Sequence, residues 1–265
     1  EELVRWWVFF AFPSACAPLG VEHPWESHTE MFWGEPWQDP WGPSSMGPWA
    51  QLTRPSFATA PQANEAIDRW IAGEQLYSGI PGDGRAAEET LMDFVDIGHD
   101  PDEDGWGYWS AFWYAEIDVQ VLFVQGQLMT LFGYTDVYSG GVHGMQAEGF
   151  LVLDMETGRR LFFEDLVRED SIEALRDVAR TRFERDLGPV GDFWFRSGDL
   201  EFPGKESGIG LTEEGLVLTW HLYEIQCYAD GIPSLTLPWS EVEPMLRWEG
   251  ELATVDRDVL VSRDP

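Results

Sequence analysis

Residues 109–119 and 127–136 alternate between apolar and polar side chains, and Gly126 lies between them with 121–125 continuing the pattern. Alternation with a period of two places one set of side chains on each face of a pleated strand, and a glycine between two such runs closes a hairpin. This long hairpin limits the fold more than any other feature, because its apolar face needs a covering layer. Helical spacing precedes it. Ile67, Trp70, Ile71 and Leu76 share one face of a helix over residues 64–76, with Asn64 as its N-cap, and Ala87, Leu91, Phe94 and Val95 share a face over 85–95. After the hairpin come a strand over 150–154, a turn at Glu156-Thr157-Gly158, and a helix over 171–186. That helix carries a stripe of Ile172, Leu175, Val178, Ala179 and Phe183, with Ser171 as its cap. Further strands are expected over 193–195, 208–211, 215–223, 225–228 and 235–238, with a short helix over 241–247. The strands fall into two groups, each beside helices. The expected fold is α+β, with antiparallel sheets packed against a few helices in two intimately associated subdomains, 52–137 and 138–250, and a tail over 251–265.

The first fifty residues read differently. Residues 3–12 form an apolar run too short to span a bilayer as a helix and of the length of a signal-peptide core. Pro13-Ser14-Ala15-Cys16 follows, with small residues before a cysteine. Residues 1–16 are therefore expected to be an export segment, with Cys16 lipidated and the protein periplasmic or at the cell surface. Residues 17–51 hold Trp25, Trp33, Trp37, Trp41 and Trp49 among prolines with no regular period, which reads as a tether or an irregular wrap. Cys16 and Cys227 are the only cysteines, too few for a disulfide framework or a zinc site, and Cys227 is expected to be a buried thiol in a strand.

The chain of 265 residues carries 48 acidic against 16 basic residues, a formal charge of −32, and Lys205 is its one lysine. Nucleic acid is excluded as a partner, since phosphate binding needs basic clusters. The acidity fits either attraction of a cationic partner or adaptation to a saline, halophile-like environment. Salt separates the two, because at about 1 M the Debye length is only about 3 Å and long-range steering vanishes.

Segments that could carry chemistry are few. Asp100, Asp102 and Asp104 with Gly105 have the spacing of a calcium loop, but the twelfth position is Ala111 rather than a bidentate Glu. His143 and His221 could join Asp136, Asp165 or Glu224 as a general base. No Gly-x-Ser-x-Gly, His-Glu-x-x-His or phosphate loop is present. The chain is expected not to be an enzyme and to hold no cofactor or metal.

Residues 134–165 stand apart. A strand runs through Tyr138 into Gly140, Gly141 and Gly144, where the backbone is free to take conformations barred to other residues. His143 would be displayed between glycines, either touching a ligand or holding the loop's own shape.

These residues resemble an exported bacterial domain found in the ectodomain of RsiV-type anti-sigma factors, which sense lysozyme by binding it, and in the non-catalytic region of PdaC-type peptidoglycan deacetylases. The pattern Tyr-x-Gly-Gly-x-His-Gly, Asp-x-x-Thr-Gly, Leu and Asp-Leu falls on Tyr138, Gly140, Gly141, His143, Gly144, Asp154, Thr157, Gly158, Leu161, Asp165 and Leu166. Tyr223, Ile225, Tyr228, Ala229 and Gly231, with Pro238, match its later part, and Arg54 to Leu76 resembles a companion N-terminal domain. The resemblance covers roughly residues 50–247. Without deacetylase motifs or a sigma-binding segment, it implies a free-standing, lipoprotein-like binding protein. Its ligand would be an envelope glycan or a basic wall-acting protein such as lysozyme. The implied ligand-binding residues are Tyr138, Gly140, Gly141, His143, Gly144, Glu224 and Tyr228, in a chain expected to be a monomer. A hydrolase of wall polymer using His143, and a purely structural surface lipoprotein, are the alternatives.

Overall fold

A computed structural model describes residues 25–34, 48–73, 86–99, 113–140, 142–203 and 208–258. The proposed export segment with Cys16, the Asp100–Gly105 motif and Gly141 lie outside them. The fold is α+β, with a six-stranded sheet, a three-stranded antiparallel sheet and a few helices. The large sheet runs in the order β1 (Trp25–Trp33), β2 (Trp49–Phe57), β3 (Tyr114–Gln125), β4 (Leu128–Tyr138), β5 (Met145–Asp154) and β6 (Arg160–Leu161). Its neighbours are antiparallel except β2 and β3, which are parallel. The parallel pair departs from the expected all-antiparallel pairing. Its cause is the crossover between these strands, which contains α1 (Pro61–Gly73) and α2 (Ala87–His99).

The alternation read in the hairpin is what divides the molecule into layers. Ala115, Ile117, Val119, Met129, Leu131, Val137, Leu151 and Leu153 point to one face. There Ala63, Ile67, Trp70 and Ile71 of α1 and Leu91, Phe94 and Val95 of α2 cover them. Phe123, Leu128 and Val152 point to the other face. A bulge between Val121 and Phe123 shifts the register of β3 and sends Phe123 there. That second core is closed by β7 (Ile209–Leu211), β8 (Gly215–Thr219) and β9 (Ser234–Pro238), with the helices α3 (Phe163–Leu166), α4 (Ile172–Asp186) and α5 (Trp239–Val242). Leu175, Ala179 and Phe183 of α4 are buried, and Phe183 meets Phe193, Phe195 and Trp220 edge-on at 4.6, 5.6 and 5.5 Å. The Leu211 N–H donates to the buried Thr130 hydroxyl at 3.3 Å, tying the small sheet to the large one.

Several local expectations need correction. β1 and the start of β2 lie within the stretch read as a tether. β1 is an edge strand whose residues are all partly or fully exposed, so it shows no apolar period. The division at 137/138 falls at the end of β4, and β5 and β6 belong to the same sheet as β3 and β4. Asn64 does not cap α1, because Pro61, with φ already set for a helix, starts it three residues earlier. The Asn64 amide instead bonds both the N–H and the carbonyl of Phe57, at 2.9 Å each. Ser171 precedes α4 without capping it; a 3-10 turn over Glu169–Ser171 leads in, and the hydroxyl bonds Asp170 at 3.0 Å. Residues 193–195 and 225–227 are loop, joined where the Trp194 N–H meets the Ile225 carbonyl at 2.8 Å, and Tyr228 opens a 3-10 turn rather than ending a strand. Cys227 is only partly buried, and its thiol donates to Asp230 at 2.8 Å.

Charged groups pin the elements. Arg54 on β2 gathers Glu30 of β1 at 3.8 Å, Asp68 of α1 and Glu88 of α2. The Asp154 carboxylate accepts from the N–H and hydroxyl of Thr157 at 2.7 and 2.8 Å, and Gly158 follows at φ +68°. A side chain at Gly158 would collide with the Gln62 carbonyl, so this turn docks on the first turn of α1. Asp165 accepts from the Phe162 N–H at 2.9 Å and from Arg159 at 3.1 Å. Partial burial pushes its carboxyl up, but these two donors outweigh burial and hold it below the ordinary 3.8.

Two outcomes follow from this layout. A fragment of residues 138–250 leaves β5 without β4 and exposes Leu151 and Leu153, so it should lack dispersed amide resonances, whereas the chain cut after residue 258 should keep them. Asp165→Asn should cost about 1 kcal/mol, or roughly 2–4 °C in Tm, at neutral pH. A carboxyl lowered in the folded state stabilises above its ordinary value, and that contribution is lost as pH falls through the lower folded one. The difference between wild type and Asp165→Asn should therefore close in acid below 3.8.

Candidate functional site

The loop between β4 and β5 carries the glycine-histidine motif. β4 ends at Tyr138, and Val137 pairs with Met145 as the chain returns. Gly140 takes φ +99°, and a Cβ on Gly144 would lie 2.9 Å from the Val137 carbonyl, so these glycines let β5 close against β4. His143 is exposed. Its Nδ1 lies 2.8 Å from the Gly144 carbonyl, and its ring stacks on Tyr228 with centroids 4.1 Å apart. Tyr228 comes from the other end of the sequence, from a 3-10 turn over Tyr228–Asp230, and packs against Tyr223 at 6.0 Å. The loop bearing both tyrosines is folded by its own side chains. Glu224 accepts from the His221 N–H at 2.8 Å, and the Gln226 amide donates to the carbonyls of Asp230 and Gly231 at 3.1 and 3.2 Å.

A second set of rings adjoins this stack. Trp33, Trp49, Tyr114 and Tyr138 are register partners on four successive strands, so they form one row across the sheet. Their centroids are 6.4, 5.5 and 6.2 Å apart. Ala50, Ala115 and Val137, their neighbours in sequence, face the helices, so the row stands on the opposite face. Tyr138 ends both the row and β4, and the turn that carries His143 follows it in the chain, so the row and the loop stack adjoin at this end of the sheet.

Below the row the face is acidic. Register places Gln51, Glu116, Asp136 and Gln146 next, and then Thr53, Asp118, Tyr134 and Glu148. Glu116 and Asp136 are direct cross-strand partners, an arrangement of like charge that costs stability. No register position on this face carries Lys or Arg. Burial, then the charges of Asp136, Glu116 and Glu148, push the Tyr134 phenol up to about 12. Burial also raises the Glu148 carboxyl. Burial and then Asp136, which accepts from the phenol at 3.2 Å, raise Tyr114.

Of the residues expected at a site, Tyr138, His143 and Tyr228 are brought to one end of the sheet. Gly140 and Gly144 shape the loop, and Glu224 folds the neighbouring one. Among the described residues no carboxylate lies within ion-pair distance of His143, Asp165 is engaged with Phe162 and Arg159, and Glu224 takes the backbone N–H of His221. Sequence reading missed Trp33, Trp49, Tyr114, Glu116, Tyr134 and Glu148 as site residues. The alternation of 109–136 already put Tyr114, Glu116, Tyr134 and Asp136 on one face, but the row exists only once strands far apart in sequence are paired.

No helix among the described residues is long and apolar enough to cross a membrane. No curated protein matches the chain. Residues 164–240 match a family described as a protein of unknown function, DUF3298. Two crystal structures share the fold. A DUF3298 family protein from Pseudomonas aeruginosa PAO1 is 16% identical with a TM-score of 0.62, over 87% of this chain and 97% of its own. A member of the DUF3298 family from Bacteroides fragilis NCTC 9343 is 17% identical with a TM-score of 0.62, over 91% of this chain and 98% of its own. Residues 164–240 thus carry a match to DUF3298, the domain of RsiV- and PdaC-type proteins, within a fold that solved DUF3298 proteins share.

Proposed function

We propose that the protein is a non-catalytic, exported binding protein of the RsiV/PdaC extracellular type, and that it binds a basic wall-acting protein such as lysozyme on the open face of its large sheet. The observation that supports this most is the pairing of Glu116 with Asp136 on a face without a described basic residue. Like charges placed opposite one another weaken a sheet. A cationic partner reverses the sign of that cost, and the net charge of −32 steers such a partner toward the protein. Ring edges and phenols along the row supply the amphipathic contact area typical of protein interfaces. A wall glycan is the second reading, favoured by Trp33, which is 46% exposed at the open end of the row. Lipid anchoring at Cys16 would hold the face at the envelope.

The two ligands separate on salt. Lysozyme binding should be strong at low ionic strength and fall steeply toward 1 M, where screening is within about 3 Å; binding of soluble peptidoglycan fragments should change little. Glu116→Gln with Asp136→Asn should weaken lysozyme binding at least about tenfold and flatten its salt dependence. The same pair should stabilise the fold by about 0.2–1 kcal/mol. Titration calorimetry and thermal melts read both. Absence of binding to either ligand at any salt would overturn the proposal.

A further inference from the structure

Tyr223 is the one non-glycine among the described residues with a positive φ, at +63°. In this left-handed conformation a Cβ crowds the backbone, so glycine or asparagine takes it at lower cost, and a bulky aromatic is among the least suited. Burial does not account for the choice. Tyr223 is 48% exposed, and the side-chain hydrogen bonds that fold its loop come from Glu224 and Gln226. The ring instead lies tilted by 34° against Tyr228, 6.0 Å away, and Tyr228 in turn stacks on His143. Trp194, 55% exposed, rises beside the same loop through its bond to Ile225. Glu224 follows Tyr223 in sequence and accepts from the His221 N–H, and Asp230, in the turn that Tyr228 opens, accepts from the Cys227 thiol, so the loop that bears the rings is itself acidic.

We infer that Tyr223 is an anchor of the binding face: its strained backbone holds the ring out so that, with Tyr228, it takes a cationic side chain of the partner. A guanidinium or ammonium over an aromatic face gains from the ring quadrupole, and the formal charge of −32 draws it there. Strain held at an exposed residue is a feature of sites where placement of the side chain matters more than stability. This inference rests on the proposed reading of the open face as a binding surface for a basic protein.

The test compares wild type, Tyr223→Gly, Tyr223→Phe and Glu116→Gln/Asp136→Asn in the full chain, with lysozyme as the probe and thermal melts alongside. Tyr223→Gly should melt at the same temperature or higher and lose binding at least about tenfold, as anchor residues do. Tyr223→Phe, which keeps the ring face, should retain binding. Wild-type affinity in Tyr223→Gly, or a lowered Tm with it, would overturn the role of Tyr223 while leaving the face as proposed. Failure of the wild type itself to bind lysozyme would overturn the reading of the face and the anchor with it.

Discussion

The pairing of β3, β4 and β5 is the constraint on which the rest depends. These long strands send alternate side chains to opposite faces, and each face seeds a core. Met129 and Leu131 go under the helices α1 and α2, while Leu128 goes under the small sheet and α4. The bulge at Val121 and Phe123 lets β3 keep serving both sides after its register shifts. Because the two cores share these strands, neither half of the chain has a complete core alone. The small sheet covers only the end of its face near Phe150 and Thr130. The other end remains open, and there the aromatic row and the carboxylates stand.

That open end carries features that a fold optimised for stability would not choose. Glu116 faces Asp136 across a strand pair, and Tyr223 sits in a conformation suited to glycine. Both lie on or beside the aromatic groups at this end, the row that ends at Tyr138 and the stack of His143 on Tyr228 in the turn that follows it. On the proposed reading, the two costs have one origin: groups set out for a cationic partner are poorly matched to one another while it is absent. His143 then has a definite part. Its contacts with the Gly144 carbonyl and the Tyr228 ring join the β4–β5 loop to the loop of residues 221–231.

Much of this was legible in residues close together in sequence. The spacing of Ile67, Trp70 and Ile71, and of Leu175, Ala179 and Phe183, marked helices, and the alternation of 109–136 marked the central hairpin. The Asp154, Thr157 and Gly158 pattern marked a turn whose hydrogen bonds are local. What was not legible depends on pairing at a distance. β1 has no apolar period because an edge strand buries little of either face. The parallel pairing of β2 with β3 is set by helices docking between them, not by either strand. The aromatic row joins residues 33, 49, 114 and 138, and no window of sequence contains it. Asn64 and Ser171 have the chemistry of helix caps, yet Pro61 and the turn over Glu169–Ser171 start their helices by other means.

Hydrogen exchange with and without lysozyme locates the bound face rather than measuring affinity. Binding on the open face should add protection in the loop of residues 221–231, in the turn carrying His143, and in β1 beside Trp33, with α1 and α2 unchanged. Protection confined to the helical layer, or no change anywhere on the sheet's open face, would contradict it.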